Sequence, residues 1–416
     1  MAELDERRLE VSLLNHPTAE GVPGDLRETW QQVVTTYRRR AGANRPSLLS
    51  ACPPCQGLSS ARSDRGRAED ADAGSRDHRN LLVVVIANVA QALLPRFVVV
   101  ENVPAFLTRK VRHPVTNDPI SAASLLISLL SAFYWVFPIL TDLCDYGVPQ
   151  SRKRAFLTFV RKDVLGLRQF LAAHRAPYPR PTHATDYGGG PVTLRQALAA
   201  FQLPSLDAFS DETATDPQRP LHAVPVWRDR RYPMVAAIPP YGGGSAWDNN
   251  QCGRCGVVDV SADDALCPRC GEPLLRPVVE NSNGTYRLVN GFRSSSYRRM
   301  HPDQPASTVT TASGHIGSDI TIHPSENRLL STLECQLLQT IPADFNWGMA
   351  IKLWGPTNVR AMIGEAVPPL FTRQHGATLV GLDTGKWSHP PISLSDERCA
   401  NAREKLGLSY PTYAAR

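Results

Sequence analysis

The sequence predicts an α/β protein with a second, loop-rich domain. Apolar runs of strand length alternate with longer helical stretches between Pro46 and Phe159. Proline and glycine then become dense from about residue 165 to residue 300, and this stretch contains four cysteines spaced C-x2-C-x11-C-x2-C. Strands that alternate with helices form βαβ units and a parallel sheet, whereas proline- and glycine-rich runs form turns and loops.

Composition agrees with a globular protein that has a large buried core. The chain has 416 residues, of which 42% are apolar and 20% are charged. Its formal net charge of +6 suits a polyanionic partner better than an acidic one. No apolar run is long enough to span a bilayer, and the first residues lack the basic start and apolar run of a signal peptide. We therefore expect a cytoplasmic protein.

The elements of the first part can be assigned from apolar patterning. The predicted strands are "PSLLSAC", "RFVVVENV", "WVFPILTDL" and "RAFLTFV", and the predicted helices are "LLVVVIANVAQALL" and "AASLLISLLSAFY". Two of the strands run into the polar tetrapeptides "PPCQ" and "ENVP". Because ligands bind at the carboxyl ends of strands in such sheets, we expect the functional site there.

Regular patterning returns after residue 300. The stretch "ENRLLSTLECQLLQTI" has leucines at helical spacing, and "NVRAMIGEAVPPLFTRQHGATLVGL" is typical of a loop followed by a helix. The tail "SLSDERCANAREKLGL" predicts a capped helix that begins near Ser395 and ends at Gly407. Nothing in the sequence assigns a role to this tail.

The cysteines fall into groups with different expected roles. Tight C-x2-C turns, "CGRC" and "CPRC", are the spacing of a tetrahedral zinc site, here formed by Cys252, Cys255, Cys267 and Cys270. This zinc ribbon either staples a loop-rich domain, which we favour, or presents Arg254 and Arg269 to a nucleic acid. The other isolated cysteines read as buried structural residues: Cys144, Cys335 and Cys399.

A different role is expected for Cys55 in "SACPPCQGLS". A metal site at Cys52 and Cys55 needs two further ligands, and the sequence offers no suitably spaced pair. A nucleophile needs a cysteine held in a tight turn after a buried strand, and Pro53 and Pro54 stiffen the backbone just before Cys55. The alternative from this segment alone is that Cys55 is simply buried. Cys52 is expected to be the last inward-facing residue of the strand.

Several blocks taken in order resemble the motifs of cytosine-5 DNA methyltransferases. They are "PPCQGLS", "RNLL", "ENVP", "YGVPQSRKRAF", "ENRLLSTLECQLLQTIPADF" and "IGEAVPP". The resemblance covers the chain from about residue 3 to residue 382 and places the proline- and glycine-rich stretch where that family carries its target recognition domain. It implies a Rossmann-like domain that uses S-adenosylmethionine, with a smaller zinc-ribbon-containing recognition domain inserted.

The resemblance also implies roles for single residues. Cys55 matches the thiolate that adds to carbon 6 of cytosine, Glu101 the carboxyl group at ring nitrogen 3, and Arg154 the arginine beside the base, while Arg152 holds the loop and a phosphate. Without the family, Glu101 and the arginines would equally suit a salt bridge at a strand end. The residues expected to contact substrate are Gln56, Gly57, Ser59, Asn102 and Gln150. Those expected to contact the cofactor are Glu3, Asp25, Pro53, Gly364, Glu365 and Val367.

One part of the family pattern is not found. The family's first strand and its Phe-x-Gly-x-Gly turn do not precede Cys55. The resemblance therefore implies a domain that is truncated at its N-terminus and starts at the second strand, with Glu3 matching the ribose-binding acid and Asp25 the adenine-binding one. A misplaced start, a second polypeptide that supplies the missing unit, or an inactive copy would each explain this. Glu365 also stands where the family usually has asparagine.

We therefore predict methylation of carbon 5 of cytosine in double-stranded DNA, as in bacterial restriction-modification systems, with base flipping and a covalent cysteine adduct. The alternatives are a non-catalytic or split subunit that binds DNA and an RNA cytosine methyltransferase. The expected organisation is a catalytic domain at 1–165, a recognition domain at 166–300 with the zinc ribbon at 252–270, a return to the catalytic domain at 301–384, and a tail at 385–416.

Overall fold

The computed structural model describes residues 1–54, 78–164, 166–258, 260–290 and 293–409. The chain divides into two compact units. The first comprises Met1–Tyr146, Lys153–Thr182 and Leu370–Arg416, and the second comprises Gly147–Arg152 and His183–Pro369. These boundaries differ from the expected ones, because residues 166–182 belong to the first unit and residues 301–369 to the second. The assignment of each segment to the catalytic domain or to the recognition domain stays a prediction.

The first unit contains most of the regular structure. Its elements before the second unit are β1 (Ala2–Glu3), α1 (Glu6–Asn15), β2 (Val22–Pro23), α2 (Leu26–Ala41), β3 (Leu48–Ala51), α3 (Leu82–Leu93), β4 (Phe97–Asn102), β5 (Lys110–Arg112), β6 (Pro119–Ser121), α4 (Ala122–Leu130), β7 (Tyr134–Asp142), β8 (Lys153–Arg161), α5 (Leu167–Ala172) and β9 (Arg175–Pro179). The sequence therefore predicted the alternation of strands and helices from Pro46 to Phe159 correctly.

The central sheet is mixed rather than parallel. Its strand order is β3-β4-β8-β7, in which β3 and β4 are parallel while β8 runs antiparallel to both of its neighbours. Strands β3, β4 and β7 run in one direction, with α3 between the first two and α4 between the last two, because a crossover helix returns the chain to the same end of the sheet. A loop without an α-helix connects β7 to β8, which therefore pair antiparallel.

Apolar burial explains the stability of this sheet. All six residues of β4 are buried, including Val98 and Val100 with no exposed surface. Helices α3 and α4 pack on it through a shared core that includes Ala87, Leu125 and Leu126. Side chains cap the helices, as Ser121 does by accepting a hydrogen bond from the Ser124 amide at the start of α4.

The second unit has little regular structure for its length. It contains α6 (Leu194–Phe201), α7 (Arg231–Ala236), β10 (Val278–Glu280), β11 (Tyr286–Leu288), α8 (Thr332–Leu338) and α9 (Ala350–Glu365). The predicted helix in "ENRLLSTLECQLLQTI" is α8, which begins at a capping box of Ser331 and Glu334. Helix α9 is kinked at Gly355, which has a φ of 77° and is followed by Pro356.

The chain ends in the first unit with α10 (Pro369–Thr384), β12 (Pro391–Ser393) and α11 (Glu397–Leu406). The predicted tail helix is α11, capped by Asp396 and ended by Gly407 at a φ of 64°. Strand β12 pairs antiparallel with β9. Within the described ranges, no helix combines the length and the apolar character needed to cross a bilayer.

Candidate active site

Glu101 and Arg154 form an ion pair where β4 ends and β8 begins. Because the two strands are antiparallel, with Asn102 opposite Ala155, the carboxyl end of β4 meets the amino end of β8. The Arg154 Nε lies 2.8 Å from Glu101 Oε1, and the side chains are only 14% and 11% exposed. The two residues predicted for the site thus also form the salt bridge that was the alternative interpretation of them. A carboxylate and a guanidinium held together in a mostly buried position can bind a polar ring from two sides.

Asn102 fixes the backbone that leads to the predicted nucleophile. Its Nδ2 donates to the Pro53 carbonyl at 3.0 Å, and its Oδ1 accepts from the Val103 amide at 2.9 Å. Parallel pairing of β3 with β4 places both strand ends at the same edge, as predicted for "PPCQ" and "ENVP". Pro53 is therefore held beside the strand end that carries Glu101. Other predicted site residues lie outside the described residues: Cys55, Gln56, Gly57 and Ser59.

The prediction that Cys52 faces inward is wrong. Cys52 is exposed, because Leu49 and Ala51 face the core and the alternation of the strand turns the residues between and after them outward. The prediction for the other isolated cysteines is consistent with the structure, since Cys144, Cys335 and Cys399 are buried. Burial raises the pKa of the Cys144 and Cys399 thiols to about 12, so that they are not nucleophiles at neutral pH.

Arg152 is buried within the second unit and holds backbone. Its guanidinium donates to the carbonyls of Val309 at 3.2 Å, Gly364 at 2.9 Å and Ala366 at 3.1 Å. These bonds agree with the expected loop-holding role. The expected phosphate contact stays a prediction, and Arg152 is 2% exposed in this structure. We therefore regard Arg152 as a positioning residue.

Gln150 is also fully buried. Its Nε2 donates to the Leu338 carbonyl at 3.0 Å, and its Oε1 accepts from the Val309 amide at 3.0 Å. It thereby ties the segment before Arg152 to α8. The expected contact of Gln150 with a substrate stays a prediction, and the residue has no exposed surface in this structure.

Gly364 allows two backbone segments to touch. A Cβ atom there would lie 2.4 Å from the carbonyl carbon of Thr310 and 2.5 Å from the Thr311 amide nitrogen, distances that backbone atoms cannot relieve. The neighbouring predicted cofactor residues, Glu365 at the end of α9 and Val367 two residues later, are half-buried. The "IGEAVPP" block thus has a packing requirement as well as its expected cofactor role.

Glu3 ends β1, and Asp25 follows β2 by two residues, at the carboxyl ends of a two-stranded parallel sheet. Strand β1 pairs with β2 so that Glu3 lies opposite Pro23, and the Gly24 amide donates to the Glu3 carbonyl at 3.1 Å. The Glu3 Oε1 accepts from the Leu4 amide at 2.9 Å, whereas Asp25 caps α2 and binds Arg27. This position suits carboxylates that bind a nucleoside, although the Asp25 side chain already binds Arg27 at the start of α2.

The cysteine quartet has the geometry of a tetrahedral metal site. The four sulfur atoms lie within 4.8 Å of one another, and two Sγ–Sγ distances, Cys252 to Cys270 and Cys255 to Cys267, are 3.6 Å. Zinc–sulfur bonds of about 2.3 Å imply a sulfur–sulfur edge of about 3.8 Å in a tetrahedron. The residues therefore fit zinc.

Each C-x2-C pair is held by the same turn. The Gly256 amide donates to the Cys252 carbonyl at 3.0 Å and the Gly271 amide to the Cys267 carbonyl at 2.9 Å, with both glycines at positive φ. Arg254 forms an ion pair with Glu272 at 3.1 Å.

Buried arginines organise the loop-rich unit, and sequence analysis missed them. Arg299 donates to the carbonyls of Val235, Ile238, His323 and Glu326 and to the Asn327 side chain. Arg276 similarly donates to the Asn249 carbonyl and the Asn250 side chain, which precede the zinc ribbon, and to carbonyls between its two knuckles, those of Val260, Ser261 and Asp264. Loops leave carbonyl groups unpaired, and a guanidinium with five donors satisfies several at once. Composition gives no signal that separates these arginines from surface ones.

Comparison with known proteins defines first the class of fold. The structure is similar to a solved structure of the Entamoeba histolytica methyltransferase EhMeth, with a TM-score of 0.50 and 11% identity over 91% of this chain and 88% of that one. The mixed sheet with flanking helices is thus an α/β fold like that of this solved structure, and the predicted α/β class is confirmed.

The sequence comparisons then give the family. Residues 2–198 and 256–380 match the model of C-5 cytosine-specific DNA methylases. The chain is 27% identical to the Type II methyltransferase M1.HgaI of Avibacterium volantium over 89% of this chain and 88% of the relative. It is 32% identical to the Type II methyltransferase M.DdeI of Desulfomicrobium norvegicum over 77% of this chain and 69% of the relative. This chain belongs to the C-5 cytosine-specific DNA methylase family and is an enzyme that methylates DNA cytosine with S-adenosylmethionine.

Proposed function

We propose that the chain methylates carbon 5 of cytosine in double-stranded DNA through a covalent adduct of Cys55, as part of a bacterial modification system. The observation that carries the proposal is the mostly buried ion pair of Glu101 and Arg154 at the end of β4. The names of the relatives, which are Type II methyltransferases, support the modification setting. The net charge of +6 suits a polyanionic substrate.

The chemistry assigns a task to each residue. The Cys55 thiolate adds to carbon 6 of the flipped cytosine, and carbon 5 gains the nucleophilic character that it lacks in the free base. The ion pair uses Glu101 Oε1, and we assign Oε2 to ring nitrogen 3, where a proton must be held as the adduct forms. Arg154 lies beside the ring carbonyl oxygen and offsets its developing charge.

Methyl transfer completes the cycle. When bound, S-adenosylmethionine supplies an electrophilic methyl group to carbon 5. The proton at carbon 5 then leaves, the electron pair reforms the ring double bond, and the Cys55 thiolate is released. Glu3 is assigned to the ribose hydroxyls in this proposal, and Gly364, Glu365 and Val367 are also assigned to cofactor binding.

The test compares the wild-type chain with Cys55→Ala on unmethylated genomic DNA. Bisulfite sequencing reads 5-methylcytosine directly, and a duplex that contains 5-fluorocytosine traps the adduct because fluorine cannot leave as a cation. We expect methylation and trapping by the wild type and neither by Cys55→Ala. Labelled transfer RNA as substrate tests the RNA alternative. DNA binding by both proteins without methylation by either would favour the non-catalytic subunit.

We propose further that the cysteine quartet holds one structural zinc ion. The knuckle turns and the sulfur distances support this assignment. The pairing of Arg254 with Glu272 supports the staple over the DNA reader, because the guanidinium already has an anionic partner. Metal analysis should give one zinc per wild-type chain and none for Cys252→Ser. Arg254→Ala and Arg269→Ala should leave the methylated sequence unchanged, and an altered sequence preference would favour the reader.

A second polypeptide that adds a β-strand is also proposed. Strand β3 lies at the edge of the four-stranded sheet, and Leu48 on it is 46% exposed. Parallel strands are normally covered on both faces and at their edges. Calorimetry of S-adenosylmethionine binding, with the chain as given and with the chain extended upstream in frame, tests this. Micromolar binding by the chain as given would argue against the need for a further strand.

A further inference from the structure

The C-terminal segment is built into the first unit although it lies beyond the matched family residues, which end at 380. Strand β12 pairs with β9, and α11 packs against β7 at the edge of the central sheet. Ala402 on α11 has no exposed surface and belongs to the core formed with α3, α4 and β4, and Cys399 is 1% exposed. The segment therefore covers an edge strand rather than forming a separate tail.

Arg398 connects this segment to the turn that follows β7. Its Nε and Nη2 lie 3.0 Å and 2.8 Å from the same oxygen, Oδ2 of Asp145. The side chains are 15% and 21% exposed, so the ion pair is partly protected from water. Arg398 is itself oriented by Asp396, which accepts from the Arg398 amide at 2.9 Å and lies near its Nη1 at 3.4 Å. Asp396, the N-cap of α11, thus orients Arg398, which in turn binds Asp145.

Asp145 lies at the base of the β7–β8 connection, which is residues 143–152. The first residues of the connection form a 3-10 turn, Leu143–Tyr146, and the Gln374 side chain donates to the Tyr146 carbonyl at 3.1 Å. The far end of the connection enters β8, where Arg154 lies opposite Thr141 of β7. Both ends of the connection are therefore fixed within the first unit.

We infer that Arg398 is a positioning residue for methyl transfer, acting through Asp145 on the β7–β8 connection. The inference rests on the proposed function, because the connection carries Arg152 and leads directly into Arg154. An ion pair that fixes the first turn of the connection limits where the chain can re-enter β8. Small displacements of a catalytic group lower the rate of the chemical step steeply, whereas they leave remote binding contacts intact.

The test uses Arg398→Ala, Asp145→Asn and the double variant, with Arg96→Ala as the matched control. Arg96 pairs with Asp383 of α10, so it also joins the C-terminal part to the sheet but lies away from the connection. We expect each single variant to lower the single-turnover methylation rate about tenfold, with little change in the KM for S-adenosylmethionine. The double variant should be no slower than the slower single one, because both remove the same interaction.

Hydrogen exchange at residues 143–152 gives a readout that does not depend on activity. Amide exchange in these residues should be faster in Arg398→Ala than in the wild type and unchanged in Arg96→Ala. Arg398→Lys should recover part of the methylation rate that Arg398→Ala loses. Unchanged exchange, or a rate loss equal to that of Arg96→Ala, would overturn the inference. An inactive wild type would count against the proposed function, while an active wild type with unaffected variants would count against this inference alone.

Discussion

Glu101→Gln separates the catalytic role of the ion pair from its structural one. The substitution keeps the shape of the side chain but removes the charge that faces Arg154 Nε at 2.8 Å. Leaving a mostly buried guanidinium without its anion costs about 1–3 kcal/mol of folding stability. Loss of the group that holds a proton at ring nitrogen 3 is worth about 10²–10⁴ in rate, or about 3–5 kcal/mol in the barrier.

The assay is single-turnover transfer of a labelled methyl group to unmethylated genomic DNA, with denaturant unfolding measured on the same protein. The matched control is Asp163→Asn, because Asp163 pairs with Arg161 at the other end of the same strand β8, about 23 Å from Arg154. Arg154→Ala and the double variant complete a cycle. If the two residues act as a unit, the double variant is no slower than the slower single variant.

Two results would refute the reasoning. The first is a Glu101→Gln protein that retains more than about a tenth of the wild-type rate, since the proton-holding role predicts at least a hundredfold loss. The second is a rate loss in Asp163→Asn equal to that in Glu101→Gln, which would trace the effect to the stability of β8. Binding of S-adenosylmethionine should change little in either variant.

Three further outcomes follow from the geometry. Gly364→Ala should lower stability by about 1–3 kcal/mol in denaturant unfolding, because its Cβ would meet the Thr310 backbone, and an unchanged midpoint would contradict this. Arg299→Met should cost about 3–5 kcal/mol, because it orphans several carbonyls. Burial lowers the pKa of His323 and of His375 to about 4, so the unfolded chain binds more protons than the folded one below about pH 6.5. Stability should therefore fall as pH drops from about 6.5 towards 4, and substituting either histidine with glutamine should flatten that slope.

Local patterning was enough for the four strands of the central sheet, for α3 and α4, and for both ends of α11. Strand length, apolar alternation and caps such as Asp396 and Gly407 act within a few residues of each other, so the sequence shows them directly. The direction of β8 was not predictable in this way. Strand direction depends on whether a helix intervenes, and the long connection before β8 contains only a short 3-10 turn.

The candidate site was likewise predictable only in part from the sequence. The sequence indicated Glu101, Asn102 and Arg154 as residue types at strand ends, but the hydrogen bond of Asn102 to Pro53 and the ion pair of Glu101 with Arg154 come from pairing between strands distant in the chain. Gln150 and Arg152 had the same polar character in sequence, yet the structure buries both. A polar side chain is expected at the protein surface. Only the tertiary contacts show when such a side chain is buried with its hydrogen bonds satisfied.

The sequence by itself determined the order of the motifs, the residue types of the site, and the two cysteine knuckles, because each is a property of a few neighbouring residues. Tertiary structure alone decided that β8 runs antiparallel beside β4, that buried arginines support the loop-rich unit, and that Arg398 reaches Asp145. The physical reason is that hydrogen-bond satisfaction and charge pairing depend on which distant segments meet, and local propensity does not specify those meetings.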